Sequence, residues 1–174
     1  MNDYEWPDRF RKLYAKGVQH YRAGHTRPTA WFNPDEIAWL TAIGCSTQEL
    51  FDFVEDFCNW EDPTFETVLL ITAVRREYFL TEMQSKPTGR LVDMRTLPAK
   101  SAQLGGFAWL PRIIVKAQAK LRGEMPAELM YDCGGDRQFL SDLGIHPADF
   151  LRLVWRTNGD EQAMLAEIKR LTRR

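Results

Sequence analysis

Apolar positions along the chain return at spacings of three and four rather than two, and turn-forming residues fall between the periodic runs, so the pattern predicts helices throughout. The expected helices lie near 7–23, 35–43, 47–59 and 63–81, and then near 108–122, 136–143, 147–157 and 160–172. Their ends carry recognisable chemistry. Asn33-Pro34-Asp35-Glu36 supplies an N-cap, a proline in the first turn and a carboxylate that can reach back to the cap, and Gly44 stands where a left-handed residue would end that helix. Ser46-Thr47-Gln48-Glu49 reads as a capping box. Further along, Gly144, Pro147 and Asp149 repeat this punctuation with His146 in place of the serine, and Asp62-Pro63 and Asp160 open the last helix of each set.

The two sets read as one pattern written twice. Laying residue n on residue n+100 needs no gap from Phe10 to Val74, and although only seven of these 65 positions are identical (Lys16, Arg22, Leu40, Gly44, Val54, Glu61 and Thr72), the apolar register is kept. Phe10, Leu13 and Tyr14 fall on Leu110, Ile113 and Ile114; Trp31, Trp39 and Ile43 on Tyr131, Phe139 and Leu143; Phe65, Val68 and Ile71 on Leu165, Ile168 and Leu171. The expected fold is therefore all-α: two tandem pseudo-repeats of a four-helix unit, residues 1–83 and 108–174, joined by an irregular connector over 84–107 into one compact body. The same register predicts left-handed backbone at both Gly44 and Gly144, and places Phe51, Phe53, Leu151 and Leu153 at a shared core.

Composition narrows the class. With 174 residues, 44% of them hydrophobic, the chain can fill one good core or two small ones. Apolar runs such as Val68-Leu69-Leu70-Ile71 are far shorter than the roughly 20 residues of a membrane span, and MNDYEWPDRF has no signal-peptide apolar core, which leads us to expect a cytoplasmic protein. Cys45, Cys58 and Cys133 form no CxxC pair, and His20, His25 and His146 have no ligand-like spacing, so neither a disulfide framework, a metal nor another cofactor is expected. A net charge of −1 hides an asymmetry. Residues 1–87 carry 9 Lys/Arg against 14 Asp/Glu, and residues 88–174 carry 14 against 10, which reads first as a solvated surface of uneven charge and otherwise as two halves that attract each other or a second half that meets an anion.

Within that half, Gly105-Gly106-Phe107-Ala108-Trp109-Leu110-Pro111-Arg112, then Lys116-Ala117-Gln118-Ala119-Lys120-Leu121 and Gly123, then Tyr131 before Cys133-Gly134-Gly135-Asp136, and finally Leu143-Gly144-Ile145, resemble the bacterial domain of unknown function 5069 family over about residues 93–170. The resemblance implies a helical fold and carries no established activity. This chain departs from the family pattern at Val115 and Gln118, where an acidic residue and an arginine are usual, and at Cys133-Gly134-Gly135, where Cys-Pro-Leu is usual.

Candidate chemistry concentrates at Arg112, Lys116, Tyr131, Cys133, Asp136 and Arg137. Arg112, Lys116 and Lys120, four apart, form a stripe on helix 108–122 opposite Ile113, Ile114, Ala117 and Leu121, which reads first as a solvated face and otherwise as a contact for a carboxylate ligand, a nucleotide or the acidic first half. Asp132-Cys133-Gly134-Gly135-Asp136-Arg137 reads first as the N-terminal cap of a helix starting at Asp136, and otherwise as an anion-binding loop whose glycines expose backbone N–H groups. Carboxylates flanking Cys133 argue against a catalytic thiol. A helix-turn-helix is also imaginable over Glu36–Glu55, but its second helix carries Glu49, Asp52, Glu55 and Asp56 without a basic residue, which opposes binding to phosphates. Without a nucleophile, base and metal constellation, the reading is a helical module that binds a protein or a small ligand; the alternative is an enzyme or regulator acting on an anionic metabolite at the Tyr131–Arg137 loop.

Overall fold

Capping decides where the helices begin. In a computed structural model, which describes residues 3–172, Asn33 and Ser46 each close a reciprocal capping box, with Glu36 and Glu49 respectively, and start α2 (Pro34–Ala42) and α3 (Thr47–Trp60) where the sequence signals them. Before them runs α1 (Trp6–Arg22), and after them α4 (Phe65–Thr81). The cap of α4 is Thr64, whose hydroxyl accepts the Thr67 N–H, rather than Asp62, so that helix begins two residues later than expected. These four helices form one compact unit, Met1–Ser85.

In this unit α1 packs mainly on α3 and also on α4. Phe10, Leu13 and Tyr14 from α1, Leu50, Phe53 and Val54 from α3, and Val68, Ile71 and Val74 from α4 are all buried, together with Trp31, Trp39 and Leu40. Each large apolar side chain so buried contributes about 1.5–3 kcal/mol, which makes this face the source of the unit's cohesion. Gly17 serves the packing: a Cβ there would stand 3.1 Å from the Trp31 ring.

The second unit, Lys86–Arg174, takes in the connector. Part of that connector is ordered as a hairpin that the helical pattern does not predict. Strands β1 (Gln103–Leu104) and β2 (Phe107–Ala108) pair antiparallel, Gln103 opposite Ala108 and Leu104 opposite Phe107. The turn is Gly105-Gly106, with φ of 58° and 91°, a two-residue hairpin loop that needs positive φ at both positions. Upstream, the Val92 N–H donates to the Glu124 carbonyl at 2.9 Å, tying the segment to the end of the next helix.

That helix, α5 (Leu110–Arg122), starts two residues after the expected boundary, because Trp109 is left-handed at φ 72°, and ends at left-handed Gly123. It is followed by α6 (Gly134–Leu143), α7 (Pro147–Arg156) and α8 (Glu161–Leu171). Here α5 packs mainly on α7. The core is Leu110, Ile113, Ile114, Ala117 and Leu121 against Phe150, Leu151 and Val154, closed by Leu140, Met164 and Ile168. His146 caps α7 by accepting the Ala148 N–H at Nδ1, and Asp160 caps α8 by accepting the Ala163 N–H. Gly44 and Gly144 are left-handed, at φ 76° and 65°. Among the described residues the regular secondary structure is thus helical apart from one small hairpin, and no described helix is long and apolar enough to cross a membrane.

Candidate functional site

Helix α5 turns Ile113, Ile114, Ala117 and Leu121 into the core, and periodicity alone would leave Lys116 and Lys120 in water. They are not: Lys116 is 2% exposed and Lys120 3%. The solvated-stripe reading is corrected by the segment from Tyr131 into the first turn of α6, which brings Asp136 against this helix. Asp136 is itself fully buried. Its Oδ1 accepts the Trp109 indole N–H at 2.8 Å, and its Oδ2 accepts the Asp132 backbone N–H at 2.9 Å and an ion pair from the Lys116 ammonium. Lys116 also donates to the Cys133 sulfur at 3.1 Å.

Asp136 is consequently not the cap of its helix. Helix α6 begins at Gly134, with Cys133 at the N-cap and no side-chain cap bond, and Asp136 sits at the third helical position, pointing inward to Lys116 and Trp109. Gly135 makes that arrangement possible, since a Cβ there would lie 2.6 Å from the Trp109 ring. Around the cluster, the Tyr131 hydroxyl donates to the Pro147 carbonyl at 2.8 Å; its burial, reinforced by the Asp132 and Asp136 charges, pushes its pKa well above the ordinary phenol value. Arg137 donates to the Asp132 carbonyl. Arg112 turns toward the connector, with Nη1 donating to the Pro98 carbonyl at 2.8 Å and its guanidinium 5.8 Å from the Trp109 ring centre.

Of the six residues singled out from sequence, Lys116, Cys133 and Asp136 therefore share one hydrogen-bonded cluster, Tyr131 and Arg137 brace the loop that forms it, and Arg112 braces the connector. Trp109 is the member that sequence reasoning missed, because nothing in its own neighbourhood announces a partner 27 residues away. Three donors occupy the Asp136 carboxylate, so a ligand entering here would have to displace bonds already made.

A second feature of this unit is open. A cavity of about 330 Å³, in the lower range of small-ligand sites, is lined by His146, Asp149, Arg152, Arg156 and Arg170, with Leu143, Ile145 and Leu153 as apolar wall. Arg152 Nη1 pairs with Asp149 at 2.8 Å, and Arg170 pairs with Glu167 at 2.7 Å. Two of the three guanidiniums are thus offset by a paired carboxylate, and Arg156 adds the excess positive charge at the cavity. Arg152 and Arg156 had a sequence signal, their spacing of four on one helix; Arg170 is brought to them by the packing of α8.

In the first unit, Lys16 and Glu36 form a more exposed pair, 2.6 Å apart, and the Asn33 N–H donates to the same Glu36 oxygen at 2.9 Å. Burial opposes the charge on Glu36, but the Lys16 and Asn33 hydrogen bonds prevail and hold its pKa below the usual value. His20 and His25 meet through their Nδ1 atoms at 3.2 Å beside a cavity of about 420 Å³. Among the described residues no three His, Cys, Asp or Glu side chains are placed to hold a metal ion.

No curated protein and no solved structure matches the chain. Its second half, residues 95–174, which carries both the Lys116–Cys133–Asp136 cluster and the arginine-lined cavity, matches the family model of a domain of unknown function (DUF5069).

Proposed function

We propose that this chain is a non-catalytic helical module made by duplication, and that its second unit binds a small phosphate- or carboxylate-bearing ligand in the cavity between the end of α6, α7 and α8. The observation that carries the binding reading is the convergence of Arg152, Arg156, Arg170 and His146 on one cavity of about 330 Å³. Guanidiniums bind phosphate and carboxylate oxygens in pairs, and an apolar wall of Leu143 and Leu153 would take the rest of a metabolite.

The duplication is supported by bonds that recur one hundred residues apart. The Gly44 and Cys45 N–H groups donate to the Thr41 and Leu40 carbonyls, and the Gly144 and Ile145 N–H groups donate to the Ser141 and Leu140 carbonyls. Lys16 pairs with Glu36 as Lys116 pairs with Asp136, each carboxylate at the third position of its helix. In this reading the second copy has buried its pair under Trp109 and Tyr131, and the first has kept a more solvated one.

The alternative location, the Tyr131–Arg137 loop, is disfavoured because its lysine and carboxylate already satisfy each other. A thermal-shift screen with inorganic phosphate, citrate and nucleoside monophosphates separates the two sites. A ligand at one hundred times its dissociation constant stabilises by about 2.7 kcal/mol, a readily measured rise in melting temperature. We expect such a rise in the native chain and in Arg112→Ala, and its loss in Arg156→Ala; a rise that survives Arg156→Ala but not Arg112→Ala would move the site to the loop side.

A further inference from the structure

We propose that Lys116 and Cys133 are a peroxide-sensitive modification site, at which the two side chains join through a covalent sulfur–nitrogen bond. The proposal is independent of the anion reading and rests on placement. Lys116 Nζ lies 3.1 Å from Cys133 Sγ and is fixed there by its ion pair with Asp136. Lys116 is almost fully buried, so its nitrogen has few places to go. Cys133 is partly exposed and is followed by the exposed Gly134 and Gly135, so a molecule as small as hydrogen peroxide can reach the sulfur. Oxidised sulfur that meets a nearby nitrogen condenses with it, and here the nearest nitrogen is an amine rather than a backbone amide.

The chemistry balances with hydrogen peroxide as the only co-reactant. Sγ bonds to one peroxide oxygen as the O–O bond breaks; the second oxygen leaves with the thiol proton as water, and the product is a sulfenic acid. Sulfur has then lost two electrons and peroxide has gained them. The Lys116 ammonium passes one proton to Asp136 Oδ2, the oxygen to which it already donates. The freed lone pair attacks the sulfur, the S–O bond breaks, and hydroxide departs with a second amine proton as water. What remains is a Cys133–S–NH–Lys116 link, two hydrogens lighter than the starting pair. A thiol reductant attacks the linked sulfur, which releases the Lys116 amine and leaves Cys133 in a mixed disulfide; a second thiol then displaces Cys133 as the free thiol and leaves the reductant as its disulfide.

The first unit provides an internal contrast. Asn33 stands at the position of Cys133, so the Lys16–Glu36 pair has no sulfur beside it. Cys45 is buried, which leaves Cys58 as the competing thiol for oxidant.

The test is to treat the full-length protein with hydrogen peroxide, digest it, and map the peptides by tandem mass spectrometry. We expect one peptide pair joining residues 116 and 133, two hydrogens lighter than the sum of its parts, in the native chain and in Cys58→Ser, and its disappearance after dithiothreitol. In Lys116→Arg, which keeps a buried cation but lacks the amine, Cys133 should instead progress to the sulfinic acid. If residues 116 and 133 of the native chain stay in separate peptides, with Cys133 unmodified or as the sulfinic acid, the proposal is overturned.

Discussion

At the scale of single residues, burial decides how much one ion pair matters. Lys116 and Asp136 lie 2% and 0% exposed, whereas Lys16 and Glu36 keep 35% and 20% of their side-chain surface in water. Removing one member of a buried pair strands the other, so Lys116→Met should cost about 3–5 kcal/mol in urea unfolding. Lys16→Met should cost under about 1 kcal/mol, because water replaces much of what the solvated pair loses. A pH dependence follows from Glu36. Its folded pKa is depressed, so its contribution is fully present above the unfolded value and is lost as pH falls through the lower folded value. Native protein should therefore lose stability more steeply than Glu36→Gln below about pH 4.3, the ordinary glutamate value, in acid titrations followed by circular dichroism. The glycines beside the buried cluster make a third test: Gly134→Ala meets only the end of Arg137 at 3.9 Å and should be neutral or stabilising by up to about 1 kcal/mol, while Gly135→Ala drives into the Trp109 ring and should destabilise. None of these burials was legible in the helical period of α5, which set Lys116 on the same face as Arg112; the loop that covers it comes 15 residues later in the chain.

At the scale of elements, boundaries set by neighbouring residues are legible in the sequence, and boundaries set by distant partners are not. The capping boxes at Asn33 and Ser46 place the starts of α2 and α3, because an N-cap satisfies donors within three residues of itself. The hairpin at 103–108 had a local signal too, Leu-Gly-Gly-Phe, but a two-residue strand on each side offers too little alternation to register as a sheet. The start of α6 at Gly134 rather than Asp136 went unread because the aspartate's partners are Trp109 and Lys116, not its own helix. The two turn glycines share a left-handed backbone but differ in surroundings. At Gly44 a Cβ would stand 2.8 Å from the Phe79 side chain, and at Gly144 it would meet open space. Gly144→Ala should thus cost about 1 kcal/mol, the left-handed strain alone, and Gly44→Ala clearly more; thermal unfolding of the two variants gives the comparison directly.

For the whole molecule, the apolar register at an offset of one hundred residues and the charge asymmetry were the informative features of the sequence. Both underlie the proposal of a duplicated module that binds an anion through its second unit. The register keeps the core positions of both units while leaving their polar positions to diverge, so Lys16 and Lys116 share a place in the pattern and differ in surroundings. Core positions should be costly wherever they occur in it: Leu153→Ala removes a side chain 3% exposed and should lose about 2–5 kcal/mol, against under about 1 kcal/mol for the neighbouring Arg152→Ala, both from urea midpoints. Arg152→Ala should instead weaken anion binding, which separates the role of the cavity from that of the core. The central claim, that the anion binds among Arg152, Arg156 and Arg170 and not at the Lys116–Asp136 cluster, is tested most directly by titrating the isotope-labelled full-length protein with inorganic phosphate and following backbone and indole N–H resonances. The account predicts saturable shifts at Gly144, His146, Arg152, Arg156 and Arg170 while the Trp109 indole, Gly134 and Gly135 stay in place; shifts confined to Trp109, Gly134 and Gly135, or none at the arginines, would contradict it.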